Sequence, residues 1–188
     1  MGGNCSFSDE VKSCAVRMAE SGVAALAGLF DLTSQRLVRY ATTITRNQHD
    51  AEDAVQAALV QVARQQYRFC QVDHPWSYLL RMVRNEALVI VRRKRRWSFV
   101  ANLSDLLTRK LVDEVEREEA FRAVWSALRA LPVEQAEVVV LKIWEEMTFA
   151  QIGDILELSA HTVASRYRYA MKKLSGKLAP SVRESVHE

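Results

Sequence analysis

From about residue 23 to residue 174, apolar residues recur mostly at intervals of three and four. That is the repeat of α-helices with one buried side, not the alternation of strands. The clearest stretch is 76–96, where Trp76, Leu79, Leu80, Val83, Ala87, Ile90 and Val91 share one face at 100° per residue. Six Gly and three Pro in 188 residues are too few for a turn-rich β-protein. The expected fold class is therefore all-α. Apolar residues make up 49% of the chain, enough for a core, and the length allows one ordinary domain or two small ones.

Read along the chain, residues 1–22 lack a clear period and are expected to form a loosely held leader. The first helix, over 23–46, has Leu26, Leu29, Phe30, Leu37, Tyr40, Ala41 and Ile44 at mostly three- and four-residue spacing. A second opens at Asp50, a natural cap, with Asp53 in the first turn and a stripe of Ala51, Ala54, Val55, Ala58, Leu59 and Val62. Phe69 to Pro75 reads as a loop, with Asp73 as cap and Pro75 in the first turn of the next helix. That helix runs from Trp76 to Arg96. Its apolar face predicts Trp76 as core, and its opposite face carries Tyr78, Arg81, Asn85, Leu88, Arg92 and Arg96. Periodicity weakens over 97–113. It returns in a helix beginning near Asp113, with Phe121, Val124, Trp125 and Leu128 inward, and in another from Val133 to Glu145, with Ala136, Val139, Val140 and Ile143 apolar. The expected organisation is two small helical domains, 23–97 and 114–178, joined by a linker over 98–113, with a tail over 179–188.

Net charge is only +3, but it is unevenly spread. Residues 81–96 hold Arg81, Arg84, Arg92, Arg93, Lys94, Arg95 and Arg96 against Glu86 alone. Residues 161–177 hold Arg166, Arg168, Lys172, Lys173 and Lys177 and no acid. Between them lie Asp105, Asp113, Glu114, Glu116, Glu118 and Glu119. A basic stripe containing an amide and a phenol has the composition that a nucleic-acid strand requires.

Residues 148–174 read TFAQIGDILELSAHTVASRYRYAMKKL. Thr148 and Gln151 form a capping box, Ile152, Ile155 and Leu156 an apolar side, Glu157 and Leu158 a tight turn, and Ser159 the next cap. In the following helix Val163, Tyr167, Ala170 and Leu174 face inward, while His161, Ser165, Arg168 and Lys172 share the opposite face. This is helix-turn-helix patterning, with Thr162 and Arg166 also placed to meet DNA. Glu157 stands where many such turns carry Gly, so the backbone there must accept a bulkier residue.

Other classes are disfavoured. No apolar run is long enough for a membrane span. Asp9, Glu10, Lys12 and Arg17 stand where a signal peptide would need an apolar core, so a cytoplasmic location is expected. Cys5, Cys14 and Cys70 are an odd, scattered set, matching reduced thiols. His49, His74, His161 and His187 are scattered too; Cys70 and His74 lack two further zinc ligands nearby. Neither a phosphate-cradling Gly loop nor a nucleophile elbow is present, so no enzyme activity, metal or cofactor is expected.

DAEDAVQAAL (Asp50 to Leu59), WSYLLRMVRNEALVIVRRKRR (Trp76 to Arg96) and LPVEQAEVVVLKIWEEMTFAQIGDILELSAHTVASRYRYAMKKL (Leu131 to Leu174) together resemble the sigma-70 family, specifically its extracytoplasmic-function group. The order, spacing and basic–acidic–basic layout carry the resemblance, over roughly residues 25–176. It implies a promoter-specificity subunit of bacterial RNA polymerase, acting with the core enzyme on promoter DNA, and often held by an anti-sigma factor. It places Asp50, Glu52, Asp53 and Gln56 on the polymerase-docking surface. It places Gln71, Asp73 and His74 beside an unstacked base of the minus-ten element, with Tyr78, Arg81, Arg84, Asn85, Arg92, Arg93, Arg95 and Arg96 along the strand and upstream duplex. His161, Thr162, Ser165, Arg166, Arg168 and Lys172 would read the minus-thirty-five element. The family often has an acid where this chain has Ala57 and Val89. The alternative is a helix-turn-helix regulator that binds DNA as a dimer without core polymerase.

Overall fold

In the computed structural model, residues 6–101 and 119–184 are described; the expected acidic connector falls largely outside them. They contain nine α-helices, α1 (Phe7–Ser21), α2 (Leu26–Thr45), α3 (Gln48–Arg64), α4 (Gln66–Cys70), α5 (Pro75–Ala101), α6 (Glu119–Arg129), α7 (Val133–Ile143), α8 (Phe149–Leu156) and α9 (Ala160–Glu184), with no strand among the described residues. A 3₁₀ turn, Gly22–Ala25, joins α1 to α2.

Helices α2, α3 and α5 pack on one another to form the N-terminal module. Leu29, Leu37, Tyr40 and Ala41 of α2 meet Ala51, Ala54, Val55 and Ala58 of α3 and Leu79, Leu80, Val83 and Ala87 of α5, all buried. Each large apolar side chain so placed contributes about 1.5–3 kcal/mol relative to exposure. The alanines of α3 let the three helices approach closely.

Residues 7–21, expected to belong to a loosely held leader, instead form α1. Ser6 and Asp9 close a capping box at its start. Val11, Cys14, Ala15 and Met18 are buried at three- and four-residue spacing, and the helix packs on α2, α4 and α5. The Gln66 amide donates to the Met18 carbonyl, and Phe7 stands edge-on to Trp76 with centroids 4.9 Å apart.

Helix α3 starts before Asp50. Arg46 closes α2 in the left-handed region (φ 56°), and Asn47 caps α3 by accepting the Asp50 N–H at 3.0 Å. The expected loop from Phe69 to Pro75 is shorter, because α4 occupies its first part and buries Phe69. Tyr78 N–H donates to the His74 carbonyl at 3.0 Å, which puts His74 at the position expected of Asp73, with Pro75 opening α5. Trp76 is core, as its face predicts.

In the C-terminal module α9 packs on α6, α7 and α8. Trp125 of α6 stacks on Trp144 (5.5 Å, 16°). Leu128 points inward, whereas Val124, expected inward, is exposed, as is Ile143 of α7. The Thr148–Gln151 capping box forms. Glu157 closes α8 in the left-handed region (φ 59°), and Ser159 accepts the Thr162 N–H at 3.1 Å to cap α9. Val163, Ala170 and Leu174 are buried, with Tyr167 half-buried and tilted against Phe149. The modules also touch, α2 against α7 and α5 against α8. Among the described residues no helix is long and apolar enough to cross a membrane.

Candidate nucleic-acid interface

The outer side of α9 is built by the turn before it. His161, Arg168 and Lys172 are exposed, while Thr162, Ser165 and Arg166 are half-buried. The Thr162 hydroxyl lies 2.8 Å from that of Ser159, so part of its bonding capacity serves the cap. The exposed side offers an imidazole near the amino end and cations further along, with no acid over 161–177. Such a surface bonds base edges with its first turns and phosphates with its later ones.

On the N-terminal module, Gln71, Asp73 and His74 stand exposed in the short turn between α4 and α5. Tyr78 is half-buried and tilted against Phe69, with centroids 6.2 Å apart. Asn85, Arg92, Arg93, Arg95 and Arg96 are exposed along α5. Arg81 and Arg84 are not: Arg81 donates to the Asp154 carbonyl of α8, and Arg84 Nε donates to Glu137 Oε1 of α7 at 2.8 Å. The structure thus splits the expected strand-binding set. One end of α5 presents exposed cations, and its middle is engaged by the other module.

The expected polymerase-docking residues also separate. Glu52, Asp53 and Gln56 are exposed on α3. Asp50 is withdrawn, its side chain 10% exposed and bridged at 2.7 Å by Lys94. Gln56 borders an apolar groove of about 440 Å³ formed with Leu26, Phe30, Leu59, Val60, Ala63 and Arg64. Phe30 and Val60 are exposed there. Ala57 is half-buried on α3, and Val89 is exposed on α5.

Sequence reading missed the residues that join the modules. Glu137 is 2% exposed and receives, besides Arg84, the Tyr40 phenol at 3.2 Å on the same oxygen. Burial, then the neighbouring carboxylate, raises the Tyr40 pKa well above its ordinary range, so Tyr40 is the donor. Burial also pushes the Glu137 carboxyl up, opposed by Arg84. Glu145 follows α7 and pairs with Arg39 at 3.3 Å and Arg36 at 3.8 Å. Its Oε2, which faces Arg36, is buried, as is the Trp76 indole N–H, which acts on the same carboxyl and lowers its pKa. Burial raises the Glu145 pKa against the pull of the two arginines. A signal was present. Val138, Val139, Val140 and Leu141 form an unbroken apolar run, and a helix apolar all round is covered all round.

A helical module with a basic helix, tied by a connector to a capped helix-turn-helix, defines a bipartite DNA-binding transcription factor. Comparison with known proteins narrows this. The Sigma-70 region 2 profile matches residues 29–97, and the Sigma-70 region 4 profile matches residues 121–174. The extracytoplasmic-function sigma factor SigE of Mycolicibacterium smegmatis is 30% identical over 191 residues, covering 95% of this chain and 72% of that protein. SigM of Mycobacterium tuberculosis, of the same group, is 31% identical over 147 residues, covering 78% and 74%. Among solved structures, the sigma factor RpoE of Bartonella quintana, crystallised with the anti-sigma factor NepR, matches with a TM-score of 0.67 at 19% identity, covering 87% of this chain and 98% of that one. CnrH, in complex with the cytosolic domain of CnrY, matches with a TM-score of 0.64 at 23% identity, covering 92% and 99%. The chain belongs to the sigma-70 family, in its extracytoplasmic-function group, and is an RNA polymerase sigma factor. Family membership sets aside the dimeric regulator.

Proposed function

We propose that this sigma factor divides promoter recognition between α9 and the α4–α5 turn, while α3 docks on the core enzyme. His161, Ser165 and Arg166 meet base edges of an upstream duplex element, and Arg168 and Lys172 hold its phosphates, with Thr162 positioning the first turn. Gln71, Asp73 and His74 receive a base drawn from the melting strand. Such a base needs hydrogen bonds to its edge. Tyr78 and Asn85 flank that site, and Arg92, Arg93, Arg95 and Arg96 carry the backbone. Glu52, Asp53 and Gln56 present the polar part of the polymerase contact, with Asp50 shaping the helix from beneath. The boundaries expected from the sequence serve this division: a DNA-melting module over 23–97 and a duplex-reading module over 114–178. The chain works in the cytoplasm, where its polymerase and template are, and an anti-sigma protein is its expected antagonist.

One observation carries the reading. Two separately built helical surfaces, α9 and the end of α5, present exposed cations and polar groups, while the acidic surface of α3 lies on a different helix. The test is reconstituted transcription with core enzyme on a promoter library. Initiation confined to templates sharing two spaced elements is the expected result. Absence of both core association and initiation on any template would overturn it.

A further inference from the structure

Up to Arg96, the exposed positions of α5 are Asn85, Val89 and 92–96. All are polar or cationic except Val89, which is 54% exposed. By the helical repeat, Asn85, Val89, Arg92 and Arg96 form one stripe, turned away from the buried Trp76, Leu80, Val83 and Ala87. A lone exposed valine is ordinary on a protein surface. This one differs in its setting. An amide stands one turn before it, guanidiniums stand one and two turns after it, and no acid shares the stripe. Lys, Arg, Gln or Glu would favour an exposed helical position more. Branching at Cβ also fixes the valine rotamer in a helix, so its methyl groups are held in one direction.

A rigid alkyl group set among outward cations suits a ligand that is anionic along its length and offers isolated methyl groups between its charges. Duplex DNA is such a ligand. Each A·T pair presents the thymine C5-methyl in the major groove, which admits an α-helix. Val89 lies roughly 20 Å along α5 from Pro75, where the capture turn ends. A base drawn into that turn and a base at Val89 are therefore several nucleotides apart, and Val89 faces the paired segment beside the melted one.

We propose that Val89 is a specificity-determining residue: its methyl groups pack on the C5-methyl of a thymine in the major groove of the duplex adjoining the melted segment, and so select an A·T pair at that one position. The inference rests on the DNA-holding role proposed above for α5 and names what the middle of that helix reads. Arg92 and Arg96 hold phosphates of the same segment and carry no sequence information. Covering one methyl group is worth about fourfold in affinity. That biases one position and is too little to hold DNA by itself.

The test uses the full chain bound to core polymerase and a duplex promoter recovered from the promoter library. Each thymine on either strand of the paired segment is replaced singly by deoxyuridine, which lacks only the methyl group, and competition binding at fixed salt reads the change. Wild type is expected to lose about fourfold at one of these positions and little at the others. Val89→Ala should bind the unmodified promoter more weakly by the same factor and lose nothing further at that deoxyuridine, whereas Val89→Ile should keep the wild-type sensitivity. Val89 lies outside the core, and circular dichroism confirms that both variants keep their helices. A wild-type profile with no sensitive thymine would overturn the assignment. So would a preferred sequence with no thymine in that segment, or a Val89→Ala protein that loses as much as wild type at the same position. Arg92→Ala and Arg96→Ala separate this failure from that of the wider reading. If they weaken binding to every promoter while no deoxyuridine matters, α5 holds DNA and only the thymine contact is refuted. If they change nothing, α5 does not hold DNA, and the role of Val89 falls with it.

Discussion

Gly153 has no room for a side chain. A Cβ there would lie 2.5 Å from the Leu158 carbonyl oxygen, a backbone atom that cannot swing away. Gly153→Ala is expected to cost about 2–3 kcal/mol by overpacking, visible as a lower urea midpoint with an unchanged slope. Four residues on, Glu157 accepts the left-handed backbone that a glycine would adopt freely, a departure visible in the sequence. Glu145 offers a pH test. Burial raises its folded-state pKa above its unfolded value, so the stability linked to its protonation is fully present below the unfolded pKa and is lost as pH rises through the folded one. Wild type should therefore gain stability relative to Glu145→Gln as pH falls from 7 to 5. Urea titrations at the two values check this, and a constant difference would contradict the assigned direction.

At the scale of helices, legibility followed the size of the apolar residues. Helices α5 and α8 were readable because Leu, Ile, Val and Trp mark their stripes, and the caps at Thr148 and Ser159 were read correctly. Helix α1 hid its buried side in Cys14 and Ala15, small residues among charged ones. Met18→Ala should show that this helix is part of the fold: a loss of about 2–5 kcal/mol is expected, measured by urea denaturation, with faster amide exchange across residues 7–21. Asp50 was read as a cap because nothing local reveals the left-handed turn at Arg46 that moves the start of α3 to Asn47. On α9 the two kinds of contact are separable by salt. Arg168→Ala and Lys172→Ala should weaken holoenzyme binding to all promoters alike and each flatten the salt dependence by about one phosphate contact. Ser165→Ala should change which sequences are preferred. Competition binding across ionic strengths distinguishes the two.

For the whole molecule, the two modules were legible, but their embrace was not. A short sequence window shows that α7 is apolar and cannot say how many neighbours share it. Nothing local singles out Glu137, because its partners lie 53 and 97 residues away in sequence. At 100° per residue, Val140, Leu141 and Trp144 fall on the same side of α7 as Glu137, while Ala136 and Val139 fall on the side away from it. Val140 and Leu141 are wholly buried. Unclasping the chain would therefore wet a greasy strip as well as free the arginines. Any partner that separates the modules must therefore offer that strip an apolar surface of its own.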